Sequence, residues 1–239
     1  MTKPRCSTIA LIGPDGSGKS TVAAALMSQS DLPIKYLYMG TSVESSNHAL
    51  FTSRLAHRWK VHQHKKSLKK KGELIPEQIT LHGAEHRVDK RGKLGGGIRL
   101  LRRVSEEIYR QLISWGYQGL GNVVLYDRHF LFDACPPPDD FSEHRLSAHR
   151  LTDRMHFWFL KNLYPRPDIA ILLDAPSQTL FARKQEIPVE HLEHDRIKLK
   201  KRKSYSHNFF VIDCTQSIND IVDEINQILD KHCSKKPVA

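Results

Sequence analysis

Between an apolar run, Ser7 to Ile12, and a run rich in alanine and leucine, Ser20 to Ser28, lies Gly13-Pro14-Asp15-Gly16-Ser17-Gly18-Lys19-Ser20. A glycine, four residues and then Gly-Lys-Ser is the Walker A spacing, and each part answers a physical need. Gly13, Gly16 and Gly18 let backbone N–H groups turn inward where a Cβ would obstruct, and a helix opening near Ser20 adds the positive end of its dipole. In such a cradle, completed by Asp15 and Ser17, Lys19 reaches the β- and γ-phosphates of a nucleoside triphosphate. Ser20 offers its hydroxyl to Mg2+, and Thr21 can bond on the α-phosphate side. The alternative, a plain glycine-rich turn, does not account for the strand before the motif and the helix after it.

Further along, apolar strands alternate with helical patterns. Strands are expected at Ile34 to Met39, Asn122 to Tyr126, Ile169 to Leu173 and Phe209 to Ile212. Helices are expected at Ile98 to Tyr117, Leu146 to Leu163, from Ser177, and at Asn219 to Leu229, with two more around a basic turn between Leu50 and Leu81. Leu101, Val104, Ile108, Leu112 and Trp115 recur at intervals of three or four, so that face of the first long helix is expected to pack on the sheet. Pro136 to Asp140 reads as a rigid loop, and 184–203 as a polar, charged stretch. The order implies an α/β fold of three layers on a mainly parallel five-stranded sheet, the P-loop NTPase architecture, in one domain over residues 1–239. Ligands of such sheets gather beyond the carboxyl ends of the strands, where Gly13, Asp127 and Asp174 all fall.

Val123-Val124-Leu125-Tyr126-Asp127-Arg128-His129 sets an acid and then a base after a buried strand. Asp127 there can hold the metal shell or take a proton from the attacking group, and Arg128 can clamp an anionic acceptor; an ordinary strand-end ion pair is the simpler alternative. The absence of an Asn-Lys-x-Asp tetrad disfavours a switch GTPase. The length disfavours a mechanochemical ATPase.

On these motifs the chain resembles the thymidylate kinase family, and within it a thymidylate-kinase-like branch often found with bacterial surface-polysaccharide genes. Gly-Pro-Asp-Gly-Ser-Gly-Lys-Ser-Thr is similar to the family cradle and Asp127-Arg128-His129 to its Asp-Arg-Tyr motif, with His129 in place of tyrosine. Pro165-Arg166-Pro167-Asp168, leading into Leu172-Leu173-Asp174-Ala175-Pro176, resembles a further strand, and Arg183-Lys184-Gln185-Glu186 with Glu190 and Leu192-Glu193 the entrance to a lid at about 183–203. The resemblance implies ATP- and Mg2+-dependent transfer of a phosphoryl group to a small anionic acceptor, a nucleoside monophosphate of the thymidylate kind or a sugar-type molecule. It places Lys19 at the transferred group, Ser20 and Asp127 at the metal, Arg128 at the acceptor's anion and Asp15 at the acceptor sugar. Where relatives lack an arginine in the cradle, as here with Gly16, basic lid residues carry the transition-state charge, which makes Arg183, Lys184 and Arg196 the lid candidates, a solvated basic helix face being the simpler alternative. A homodimer is also implied by resemblance alone.

The 37 Lys and Arg against 26 Asp and Glu give a charge of +11, much of it between Arg54 and Arg103, with Lys65-Lys66 and Lys69-Lys70-Lys71 at its centre. This falls within the acceptor-side helical segment, about 48–118. It reads as a solvated helix face, or as a contact for an anionic acceptor, polymer or membrane surface, where each lysine contributes about 1 kcal/mol. Nucleic acid is disfavoured, because aromatic residues are not interleaved as stacking platforms. His82 and His86 are four apart on an expected helix, but a zinc reading lacks a joined carboxylate. Cys6, Cys135, Cys214 and Cys233 are too far apart for a zinc or disulfide framework and fit reduced thiols. No signal-type segment and no membrane-length apolar window is present, so a cytoplasmic location, peripheral to the inner membrane face at most, is expected. A nucleotide-binding interaction module, docking through the basic segment without catalysis, is the alternative from another class.

Overall fold

In the computed structural model, residues 6–30, 32–40, 48, 50, 62, 93–136 and 151–233 are described. Five parallel strands form one sheet in the order β2-β3-β1-β4-β5: β1 (Thr8–Ile12), β2 (Ile34–Tyr38), β3 (Val123–Asp127), β4 (Ile169–Asp174) and β5 (Asn208–Asp213). All five correspond to expected strands, and every residue of β1, β3 and β4 is buried, as parallel strands covered on both faces must be. Asp168 fixes the start of the central pair. Its carboxylate accepts from the Ser7 and Thr8 backbone N–H groups at 2.8 and 3.0 Å, so the strand proper begins one residue later than the apolar run suggested.

Helices cover the two faces: α1 (Lys19–Gln29), α2 (Lys93–Gly119), the single turn α3 (Phe130–Asp133), α4 (Leu151–Asn162), α5 (Ser177–Arg183), α6 (Val189–Lys201) and α7 (Ile218–Cys233). One apolar cluster joins α1 and α7 to one side of the sheet through Ile9, Leu11, Val22, Leu26, Ile171 and Ile225. The opposite cluster holds Ile12, Tyr126, Phe132, Leu160 and Tyr164. Helix α6 occupies a stretch read from sequence as polar and charged and as part of a lid. Its apolar content is slight, but Leu192 and Leu199 are both buried, and Glu190 in the first turn and Lys198, Lys200 and Lys201 in the last suit the helix dipole.

Helix α2 contradicts the expected orientation. Leu101, Ile108, Leu112 and Trp115 are 69, 42, 55 and 51% exposed, while Glu106, Glu107, Arg110, Gln111 and Ser114 are buried. The polar face turns inward because the chain provides partners for it. Arg110 donates to Glu106 Oε1 at 3.0 and 2.8 Å and to the Gly40 carbonyl at 2.7 Å, Glu107 meets His156 at 2.7 Å, and Ser114 pairs with the Tyr126 hydroxyl at 2.7 Å. Arg110 thereby ties α2 to the chain leaving β2, beside the site.

The two helices expected between Leu50 and Leu81, the lysine run, His82 and His86, most of Pro136 to Asp140, and 146–150 lie outside the described residues. Among the described residues the four cysteines are free and buried, no helix is long and apolar enough to cross a membrane, and no cluster of metal-ligating side chains is found.

Candidate active site

The loop between β1 and α1 has the conformation the glycine spacing demands. Gly18 sits at φ +80° as the residue before α1, and a Cβ built on it meets nothing within 4 Å. That open space, at the helix N-terminus and flanked by exposed Ser20 and Thr21, is where backbone N–H groups can take a phosphate. Gly16, at φ +84°, is constrained from the other side: a Cβ there would stand 2.6 Å from the Leu180 carbonyl oxygen of α5. The position at which some relatives of the resembled family carry an arginine therefore has no room for a side chain. At Gly13 a Cβ would be 2.7 Å from the Leu173 carbonyl oxygen, so the loop lies directly on the end of β4.

Lys19 is buried and folded back on its own loop, donating to the carbonyls of Gly13 and Pro14 at 3.0 and 2.8 Å, with Ser17 Oγ at 3.4 Å. Burial, aided by the Arg128 charge, brings its amine down to about 8, against the opposing pull of Asp15, Asp127 and Asp133. The ammonium pairs with phosphate only when protonated. ATP affinity is therefore expected to weaken as the pH rises through about 8, at a rate approaching tenfold per pH unit. Equilibrium titrations with ATP across that range check this, the Lys19→Ala variant providing the baseline without the amine.

Ser20, Asp127 and Tyr36 meet at the end of β3. Asp127, 4% exposed, accepts through Oδ2 from Ser20 Oγ at 3.1 Å and from the Tyr36 hydroxyl at 2.9 Å. Its Oδ1 is buried and has no hydrogen-bond partner. An orphaned carboxylate oxygen beside a hydroxyl, below a phosphate-binding loop, is the oxygen donor set that Mg2+ takes together with substrate phosphates. The residues present fit that ion. Burial and the adjacent Asp127 charge push the Tyr36 hydroxyl well above its ordinary range, so it stays a donor.

Arg128 follows immediately, at φ +66°, among the described non-glycine residues the one with positive φ. Its backbone N–H bonds to the Leu11 carbonyl at 3.0 Å, which holds this unusual conformation at the strand end. Its guanidinium meets Asp15 at 2.5 Å and Asp133 at 3.9 Å, and Lys184 lies 4.0 Å from Asp15. Burial acts to raise the Asp15 pKa, but the charges of Arg128, Lys19 and Lys184 outweigh it and hold the carboxyl below its ordinary value. At Asp133 burial wins over Arg128, Lys19 and Arg202, and the pKa goes up.

The other sequence-derived residues lie at the border of this cluster. Arg183 donates to the Cys214 carbonyl at 2.9 Å and pins α5 to the turn after β5. Arg196 grips Asp174 with two bonds of 2.7 and 3.0 Å and meets Glu193 at 2.5 Å, while Lys200 reaches Asp174 at 2.8 Å. Asp174 thus anchors α6 to the end of β4. His129, 1% exposed, accepts at Nδ1 from the Leu131 N–H at 3.3 Å, capping α3, and burial drives it down to about 3, so the ring is neutral. Tyr36 and Asp133 were not found from sequence. Tyr36 reads as an ordinary strand aromatic, and Asp133 belongs to no motif; its six-residue offset from Asp127 gains meaning only when α3 folds back beside Arg128.

No family model matches the chain. Thymidylate kinase from Thermosipho africanus (strain TCF52B) is 35% identical over 79 residues, which are 30% of this chain and 38% of that protein, so the chain spans well under half the length of this curated relative. Among solved structures, deoxyadenosine kinase from M. mycoides with dCMP and dCDP bound superposes with a TM-score of 0.51 at 21% identity, covering 94% of this chain and 99% of that one. The same enzyme with dATP gives 0.49 at 18% identity over 93 and 99%. The first of these likenesses, at a TM-score of 0.51, establishes the fold, and the sequence likeness points the same way. The chain thus has the fold of the deoxyadenosine kinase structure and, over the 79 matched residues, is similar in sequence to a thymidylate kinase.

Proposed function

We propose that the protein transfers the γ-phosphoryl group of ATP, with Mg2+, to a small anionic acceptor of the nucleoside monophosphate class, thymidylate being the first to test. The observation that supports this reading is the 2.5 Å contact between Asp15 of the phosphate loop and Arg128 at the end of β3, the residue we take as the acceptor's clamp. Lys19 leaves its loop carbonyls to pair with the γ-phosphate, and Ser20 and Asp127 hold the metal, which when bound neutralises charge on the phosphate oxygens. An acceptor phosphate takes over the Arg128 guanidinium, which frees Asp15 to accept from the acceptor's sugar hydroxyl. An acceptor phosphate oxygen then attacks the γ-phosphorus in line as the bond to the bridging oxygen of ADP breaks. Lys184, beside Asp15, is the basic residue best placed to meet developing charge. Arg183 and Arg196 serve by holding α5 and α6 in place.

A screen of nucleoside monophosphates, nucleosides and sugars for acceptor-stimulated ADP release tests the proposal. Stimulation by thymidylate or another nucleoside monophosphate supports it. Stimulation by a sugar or glycan alone would move the acceptor class. Tight ATP binding without stimulation by any acceptor, joined to salt-sensitive binding to anionic vesicles, would favour the docking module instead.

A further inference from the structure

Tyr36 has no place in the sequence motifs, yet its hydroxyl is one of two donors to the carboxylate of Asp127. The two donors come from different elements, Ser20 from the first turn of α1 and Tyr36 from the edge strand β2, and both bond to Oδ2. Two bonds to one oxygen fix the rotation of the carboxylate about its Cβ–Cγ axis, and they determine which oxygen remains. That oxygen is Oδ1, buried and without a partner. We infer that Tyr36 is a positioning residue for the metal site, setting the carboxylate of Asp127 so that Oδ1 is presented to the cation and its water shell. The inference rests on the metal-holding role proposed for Ser20 and Asp127.

The geometry explains why this task falls to a tyrosine on β2. Tyr36 is a half-buried residue that packs against the cluster beneath α1, so its ring is on the face of the sheet that carries Ser20. Register places Tyr36 opposite Leu125 and Tyr38 opposite Asp127, so the phenol must reach two residues along β3 to bond the carboxylate. A phenol spans that offset, while serine or threonine at the same Cα would fall short. The two donors also differ in what they can do. Ser20 can turn a lone pair toward a cation while its O–H still donates to Asp127, whereas the Tyr36 O–H is directed at Oδ2. Removing it leaves Ser20 to do both. Loss of a hydrogen-bonding partner behind a metal-holding group typically weakens metal binding 10- to 100-fold.

The test compares wild type with Tyr36→Phe, which keeps the ring and removes only the hydroxyl. Mn2+ binding is measured by electron paramagnetic resonance in the presence of a non-hydrolysable ATP analogue, alongside metal-free affinity for the same analogue and the melting temperature. The expected result is Mn2+ affinity lowered by about 10-fold, with analogue affinity without metal and melting temperature close to wild type. Unchanged Mn2+ affinity in Tyr36→Phe would overturn the inference, and so would an equal loss of metal-free analogue binding, which would make the hydroxyl a general support of the loop. Asp127→Asn separates this from the underlying reading: if it too leaves Mn2+ affinity unchanged, the metal site itself is misassigned.

Discussion

Replacing Lys19 with alanine is expected to cut turnover by about 10³-fold or more while leaving the fold standing. The amine is buried among loop atoms, and its hydrogen bonds go to the Gly13 and Pro14 carbonyls of the same loop. Keeping it charged there is costly, as its lowered pKa of about 8 records. Alanine loses those bonds but also removes a buried charge, and the two effects oppose each other. The melting temperature should therefore move by no more than about 2–4 °C, the equivalent of roughly 1 kcal/mol in a chain of this size. In catalysis nothing offsets the loss, because on the proposed mechanism Arg128 is taken up by the acceptor's phosphate and Lys184 already serves the developing charge. Acceptor-dependent ADP release and a thermal melt on the same sample check both halves. Full turnover in the variant would remove Lys19 from the mechanism.

The second large effect separates two glycines that look alike in sequence. At Gly16 an alanine Cβ would press on the Leu180 carbonyl at 2.6 Å, and a backbone oxygen within α5 has little freedom to yield. The positive φ adds a further penalty, and together these should cost about 2–4 kcal/mol of stability, or roughly 5–15 °C in melting temperature. At Gly18 the added Cβ meets open space, so Gly18→Ala should lose only the φ penalty of about 1–2 kcal/mol. Its Cβ enters the space above the helix N-terminus, however, and ATP binding should fall well beyond what the stability change implies. Thermal melts and ATP titrations of the two variants check the contrast. Equal behaviour in both assays would mean that the two glycines share one role.

The conformation of the glycine loop was legible in the sequence because it is local. Gly13 to Thr21 is one uninterrupted segment whose spacing states its own geometry, and the apolar strand leading into Asp127-Arg128 gives the second point of the crevice. The five-strand order of elements followed from the same alternation. What was not legible depends on pairing across the fold. Helix α2 carries its apolar residues at helical spacing, and periodicity alone assigns that face to the core. The structure buries the other face because Arg110, Glu107 and Ser114 find partners in Gly40, His156 and Tyr126, residues 70, 49 and 12 positions away. Tyr36 and Asp133 were hidden for the same reason, each acquiring its role from a side chain on another element. Arg196 illustrates the converse: its charge was visible, but its engagement with Asp174 appears only when α6 forms in a stretch with two buried leucines.

The central claim is that the cradle and the Asp127-Arg128 strand end act together on an acceptor. It is tested most directly by following the γ-phosphate of labelled ATP in the presence of Mg2+ and thymidylate or the best acceptor from the screen. The account predicts label on the acceptor's phosphate, one ADP formed for each product, and loss of that product in Lys19→Ala. Label recovered only as inorganic phosphate, or ATP bound tightly and left intact with every acceptor class, would contradict it.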